Sequence, residues 1–222
     1  MRPLEAFSNP TMVANYAEST PRKVPGLADM QRMAMLLLAE QAPETANILV
    51  LGAGGGLELK LFAEAQPHWQ LLGIDPSAAM LDLASRALGP LQQQVTLQQG
   101  YIDTAPPGPF DGATCLLTLH FLAPDERLHT MRQIHQRLRP GAKLVVAHHS
   151  CPPGGDLTLW LSRSAAFAND AAVAAAPAVA AMAGRLPILS VTDDETLIRK
   201  AGFSDVALFY AAFSFRGWVA TA

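Results

Sequence analysis

The chain has 222 residues, half of them hydrophobic and 16% charged, which suits one α/β domain over residues 1–222 with a substantial core. Its net charge of −3 gives no electrostatic footprint for nucleic acid. Two cysteines only, Cys115 and Cys151, no apolar run of transmembrane length and no apolar segment within residues 1–5 speak against a disulfide framework, a membrane span and a signal peptide, so a cytoplasmic protein is expected.

Residues up to Ala28 are polar and carry Pro10, Pro21 and Pro25, which predicts a lid or arm with little regular structure. Met30, Met33 and Leu37 recur at helical spacing, so a helix is expected over 29–41, ended by Pro43; arm and helix make an N-terminal unit over 1–45. A first strand is predicted over 48–51, a glycine turn over 52–56 and a helix over 57–65. A second strand follows over 69–74, then a helix over 77–88 opened by Pro76 and closed by Gly89. Strand three is short, 95–98, and 105–109 is a proline-rich turn. Strand four, 111–119, is an almost unbroken apolar run, as expected of a sheet covered on both faces. A helix over 125–138 has Leu128, Met131, Ile134, His135 and Leu138 on its inner stripe; Arg139, Pro140 and Gly141 end it before strand five, 143–147. An alanine-rich insertion follows, helical over 157–184 and broken by Pro177, within a helical lid spanning 155–185. A further helix over 193–201 precedes strands over 206–209 and 213–220. These are too close for a parallel crossover and must form an antiparallel hairpin. The fold class is therefore α/β: a doubly wound, Rossmann-like, seven-stranded sheet with a C-terminal antiparallel hairpin.

The chemistry gathers at the first turn. Gly52, Ala53, Gly54, Gly55 and Gly56 let the backbone turn tightly and press on a ligand, and the next helix presents free N–H groups to the same place. Asp75, closing strand two, is placed to hold a ribose diol; the rival reading is a helix cap before Pro76. A dinucleotide fingerprint requires a third glycine where Leu57 stands; the spacing here is G-x-G-x-G.

The segments ILVLGAGGG, GIDPSAAMLDLA, FDGATCLLTLHFL and LRPGAKLVVAH, with the closing hairpin, resemble class I S-adenosylmethionine-dependent methyltransferases in that family's order, over roughly residues 46–220. The resemblance implies that Gly52, Ala53, Gly54 and Gly56 line the methionine end of S-adenosylmethionine and that Asp75 takes the ribose hydroxyls. It also implies Pro76 and Met80 near the adenosine, Ile102 and Asp103 near the adenine, and Leu117 and Thr118 below the sulfonium. Finer segments, VPG at 24–26, FLAPDER at 121–127, KAGF at 200–203 and FSF at 213–215, look like the carboxy-S-adenosylmethionine synthase branch, which serves tRNA wobble-uridine modification. That branch has a tyrosine where Leu27 stands and an acid where Tyr101 stands, and it holds the extra carboxylate with an arginine for which Arg185 lies in the right region.

Three histidines are candidates for a catalytic base. His148 and His149 follow strand five and His120 follows strand four, on the edge where ligands bind, and alternation turns one of the adjacent pair toward the cleft. The bland reading is a polar rim or a satisfied core; His129 and His135 are read as structural. No metal is expected, since adjacent histidines diverge and no spaced carboxylate joins them. Tyr16 of the arm is expected over the sulfonium or against substrate, and Arg22 and Lys23 meet an anionic substrate or only solvent. Trp160, Arg163, Phe167 and Met182 belong to the insertion, which is either a substrate lid or an ordinary packing helix. Arg127, Arg132, Arg137 and Arg139 are read as a solvated helix face. The expected activity is methyl transfer from S-adenosylmethionine to a small molecule. The alternatives are carboxy-S-adenosylmethionine synthesis and a non-catalytic cofactor-binding module, with a homodimer left open.

Overall fold

The computed structural model describes residues 9–168 and 176–222. Its strands are β1 (Asn47–Leu51), β2 (Gln70–Asp75), β3 (Val95–Gln99), β4 (Phe110–Leu116), β5 (Leu138–His149), β6 (Ser204–Ala212) and β7 (Phe215–Thr221). They form one sheet in the order β3-β2-β1-β4-β5-β7-β6. The first five run parallel, and β7 enters antiparallel between β5 and β6. The strand order reverses between β1 and β4, which places a ligand crevice at their carboxyl ends. The expected doubly wound sheet with its closing hairpin is what forms.

The helices are α1 (Pro10–Ala14), α2 (Tyr16–Lys23), α3 (Leu27–Ala39), α4 (Leu57–Ala65), α5 (Ala78–Leu88), α6 (Pro124–His135), α7 (Leu157–Ala168), α8 (Ala176–Arg185) and α9 (Val191–Lys200). Met30 and Leu38 of α3, Leu59 and Phe62 of α4 and Leu88 of α5 pack on one face of the sheet against Ile48 and Val50. Met131 and Ile134 of α6 and Ile198 of α9 cover the other face against Leu49, Ala113 and Leu144. Alternate β1 residues feed opposite layers, and both layers exclude water, so the strand reads as continuously apolar. Among the described residues no helix is long and apolar enough to cross a membrane.

Several expectations need correction. The arm is helical: α1 and α2 occupy 10–23. Val13, Tyr16, Thr20 and Val24 recur at spacings of three and four, and this stripe turns inward; packing overrides the prolines. Strand four stops at Leu116 rather than Leu119, because Leu117 takes a left-handed φ of 58° that no extended strand accommodates. The helix before strand five ends at His135, and β5 begins at Leu138, running through Pro140 and Gly141 with a register shift against β4. Pro140 is tolerated there because it lies at that irregularity. Pro177 lies within α8. The centre of the alanine-rich insertion, 169–175, and the segment 1–5 read for a signal peptide lie outside the described residues.

Candidate active site

The site begins where β1 ends. Gly52 has φ 77°, and a Cβ on it would fall 2.0 Å from Thr118 Oγ1, so the turn closes only with glycine there. The Gly52 and Ala53 N–H groups donate to Ile74 O at 2.8 and 3.0 Å, tying the turn to β2. Gly56 N-caps α4 in the left-handed region without a side-chain cap, so the first N–H groups of that helix are left for a ligand.

Asp75 locks the turn to the next corner. Its Oδ2 accepts from Gly54 N–H and its Oδ1 from Ser77 N–H, both at 2.9 Å. Burial raises its carboxyl above the ordinary range against the opposing pull of these two bonds. The capping role falls to Ser77, whose Oγ accepts from Met80 N–H at 3.3 Å. Asp75 is thus not the cap, and each carboxylate oxygen retains acceptor capacity. Met80 is buried beneath the turn, and Pro76 beside it is half-buried.

A cavity of about 20 Å³ opens over the turn, lined by Tyr16, Thr20, Gln31, Gly52, Ala53, Glu58 and four leucines, among them Leu27 and Leu117. Among the described residues no lysine, arginine or histidine is on that lining. Tyr16 presses its ring on the turn: a Cβ on Gly55 would lie 2.8 Å from its Cδ1. Burial, and then the Asp75 charge, push its phenol up to about 12. Burial pushes Glu58 up to about 7; the facing Thr114 hydroxyl offsets this in part, without closing a well-formed hydrogen bond to Glu58 Oε1. Leu117, strained at φ 58°, lines the same space, and Thr118 fills the gap left by Gly52.

The histidines lie elsewhere. Adjacent His148 and His149 do point to opposite sides, but neither is on the cavity lining. His148 packs on Trp218, with Nε2 3.2 Å from Asp194 Oδ1, in a buried cluster completed by the Arg127–Asp194 ion pair. Arg127 is fully buried, unlike the solvated face expected of it, because it also donates to Pro187 O at 2.9 Å. His149 stacks on Phe215, and its Nδ1 lies 2.8 Å from Ser214 Oγ, itself 2.6 Å from Ser164 Oγ of α7. His120 packs on His149 and accepts from its backbone N–H at 3.4 Å. Burial lowers His149 to about 3 and His120 well below the ordinary range, so both are neutral at pH 7.

Of the other expected site residues, Ile102 is buried, whereas Asp103 is exposed and 2.7 Å from His129 Nε2 on α6. His135 packs on Phe203. Trp160 on α7 carries the guanidinium groups of Arg163 and Arg216 over its ring, 4.5 and 5.5 Å from the centroid. Tyr101 and Arg185 are exposed. Sequence reasoning missed Thr20, Gln31 and Glu58. The available signal was an acid on the inner stripe of α4, four residues before buried Phe62 and two after the last glycine of the turn.

Residues 49–144 match a family described as Methyltransferase domain. The matched segment covers less than half of the chain, and together with the strand order it marks the fold as that of class I S-adenosylmethionine-dependent methyltransferases. It is similar to the carboxy-S-adenosyl-L-methionine synthase of Alteromonas mediterranea, 26% identical over 160 residues, 68% of this chain and 65% of that relative, so the match spans just under two thirds of the relative's length. In fold it is similar to an O-methyltransferase family protein from Burkholderia thailandensis, with TM-score 0.70 and 13% identity over 97% of this chain and 61% of that one. It is similar also to a solved structure of PigF with SAH, with TM-score 0.67 and 18% identity over 98% of this chain and 61% of that one. The glycine cradle and the spare acceptor capacity of Asp75 fit such a cofactor at its amino-acid and ribose ends.

Proposed function

We propose that the chain transfers a methyl group from S-adenosylmethionine to a small-molecule acceptor, releasing S-adenosylhomocysteine. The observation that carries this reading is the lining of the cavity: a carboxyl, a phenol, an amide and a hydroxyl, with no basic side chain, next to Asp75. Such a lining suits a ligand that brings its own positive charge. When bound, the cofactor supplies a methyl group already activated by the sulfonium.

The residues then divide the work. Gly52, Ala53, Gly54 and Gly56 seat the amino-acid end; Asp75 holds the ribose; Pro76, Met80 and Ile102 enclose the adenosine. Leu117 and Thr118 form the floor, and Tyr16 the roof. A cofactor pocket is on the order of 300 Å³ or more, far above the cavity present, so the arm formed by α1 and α2 opens to admit the cofactor and closes to exclude water. The acceptor lies between α2 and α7, which pack together over the carboxyl edge, with Trp160 and Arg163 on its outer side. A histidine whose basicity burial suppresses, to about 3 at His149 and well below the ordinary range at His120, is a weak base, so both serve better as walls, and the favoured acceptor is one that ionises by its own acidity.

The second reading, carboxy-S-adenosylmethionine synthesis, is supported by the similarity to the Alteromonas enzyme. Leu27 and a lining without a basic side chain among the described residues speak against it, because an added carboxylate needs a cation. Incubation with methyl-labelled S-adenosylmethionine and a fractionated small-molecule extract tests both readings. Label in a low-mass product together with S-adenosylhomocysteine is expected; a cofactor recovered with an added carboxylate would establish the second reading instead.

A further inference from the structure

Glu58 lines the cavity but has no assigned role above. It is 6% exposed, and its Oε1 makes no hydrogen bond. A buried carboxyl with one unpartnered oxygen and only the Thr114 hydroxyl facing it is unfavourable, and an apolar side chain between Leu57 and Leu59 would serve the packing of α4 better. It lies two residues past the glycine turn, and its side chain lines the cavity with Tyr16 from α2 and Gln31 from α3. Among the described residues no lysine, arginine or histidine is on that lining, so a ligand that carries a cation would complement this carboxyl.

We propose that Glu58 is the ligand for the ammonium group at the cofactor's amino-acid end, leaving the free N–H groups of the turn and of α4 for the neighbouring carboxylate. The assignment rests on reading the cavity as the cofactor site. It makes Glu58 a specificity residue: it favours ligands that carry an amino-acid end over nucleosides that lack one.

The groups around it fix how this depends on pH. Tyr16 faces it from α2, Thr114 and Cys115 from β4, and Gln31 from α3, while Asp75 of β2 faces Tyr16. Tyr16 and Cys115 are both pushed up and stay neutral near pH 7. Asp75 acts on the ribose, which every adenosine ligand carries. Glu58, held at about 7, is therefore the group that changes charge across neutrality, and an anionic Glu58 binds the ammonium more strongly.

Calorimetry on the full chain with two ligands tests the proposal: S-adenosylhomocysteine, and 5′-methylthioadenosine, which lacks the amino-acid end. Glu58→Gln is expected to weaken S-adenosylhomocysteine about 10- to 100-fold, as for a hydrogen bond to a charged group, and to leave 5′-methylthioadenosine unchanged. Equal loss for both ligands, or no loss for either, overturns the assignment. A wild-type chain that binds neither ligand removes the cofactor site and the assignment with it, which is distinct from a wild-type chain that binds both while the variant matches it. Should Glu58→Gln not fold, the wild-type chain suffices. Its affinity for S-adenosylhomocysteine relative to 5′-methylthioadenosine is expected to rise about tenfold from about pH 6 to about pH 8, and a flat ratio overturns the proposal.

Discussion

Asp75 does two things at once. Its carboxylate holds the glycine turn through Gly54 and the start of α5 through Ser77, and it keeps acceptor capacity facing the crevice. Replacing Asp75 by alanine is expected to weaken S-adenosylhomocysteine about 10- to 100-fold, the loss of a hydrogen bond to a charged acceptor; unchanged affinity in a titration would reject its ribose role. Residues of this kind are legible in sequence because their roles are local: strand, glycine turn and helix are consecutive, and Asp75 ends the neighbouring strand. Glu58 is less legible. Its helix is obvious, but its burial depends on α2 and α3 arriving over it, and those contacts are set by distant sequence. Leu117 is illegible for another reason, since nothing in a leucine announces a left-handed φ of 58°.

At the scale of elements, two buried polar clusters fasten the helices around β5. His149, Ser214 and Ser164 join β5, the β6–β7 turn and α7, with His120 packed alongside. The unfolded chain protonates a histidine near its ordinary value of about 6.5, whereas in the folded chain burial holds His149 down at about 3 and His120 well below the ordinary range. The unfolded state therefore binds more protons below about pH 6.5, and stability falls as pH falls through that window. Glu58, raised to about 7, works in the opposite sense over the same window, so denaturant titrations are expected to show a net loss approaching about 1.4 kcal/mol per pH unit, the two histidines less this carboxyl; stability that rises from pH 6 down to 5 would contradict it. The second cluster, Arg127 with Asp194 and His148, ties α6 to α9 and to the carbonyl of Pro187. Arg127→Met strands a buried carboxylate and should cost about 3–5 kcal/mol, while Arg127→Met combined with Asp194→Leu should recover much of it. Chemical denaturation of the single and double variants measures the difference, and equal losses would argue against the pair. The arginine's burial escaped sequence reading because an arginine on an amphipathic helix normally faces solvent. Only the return of the chain as α9 after the insertion brings Asp194 to meet it.

For the molecule as a whole, the parallel sheet and the closing hairpin were legible from strand spacing, since 206–220 leaves no room for a crossover. The arm was not: its prolines pointed to irregular chain, while the stripe of Val13, Tyr16, Thr20 and Val24 takes effect only once there is a sheet edge to cover. The fold and the cavity lining converge on one claim, that the carboxyl edge of β1 and β2 takes S-adenosylmethionine and not a dinucleotide. Calorimetric titration of the purified chain with S-adenosylhomocysteine and, separately, with NAD tests it most directly. One-to-one saturable binding of S-adenosylhomocysteine with no heat from NAD is the expected result; saturable NAD binding with none for S-adenosylhomocysteine would contradict the account.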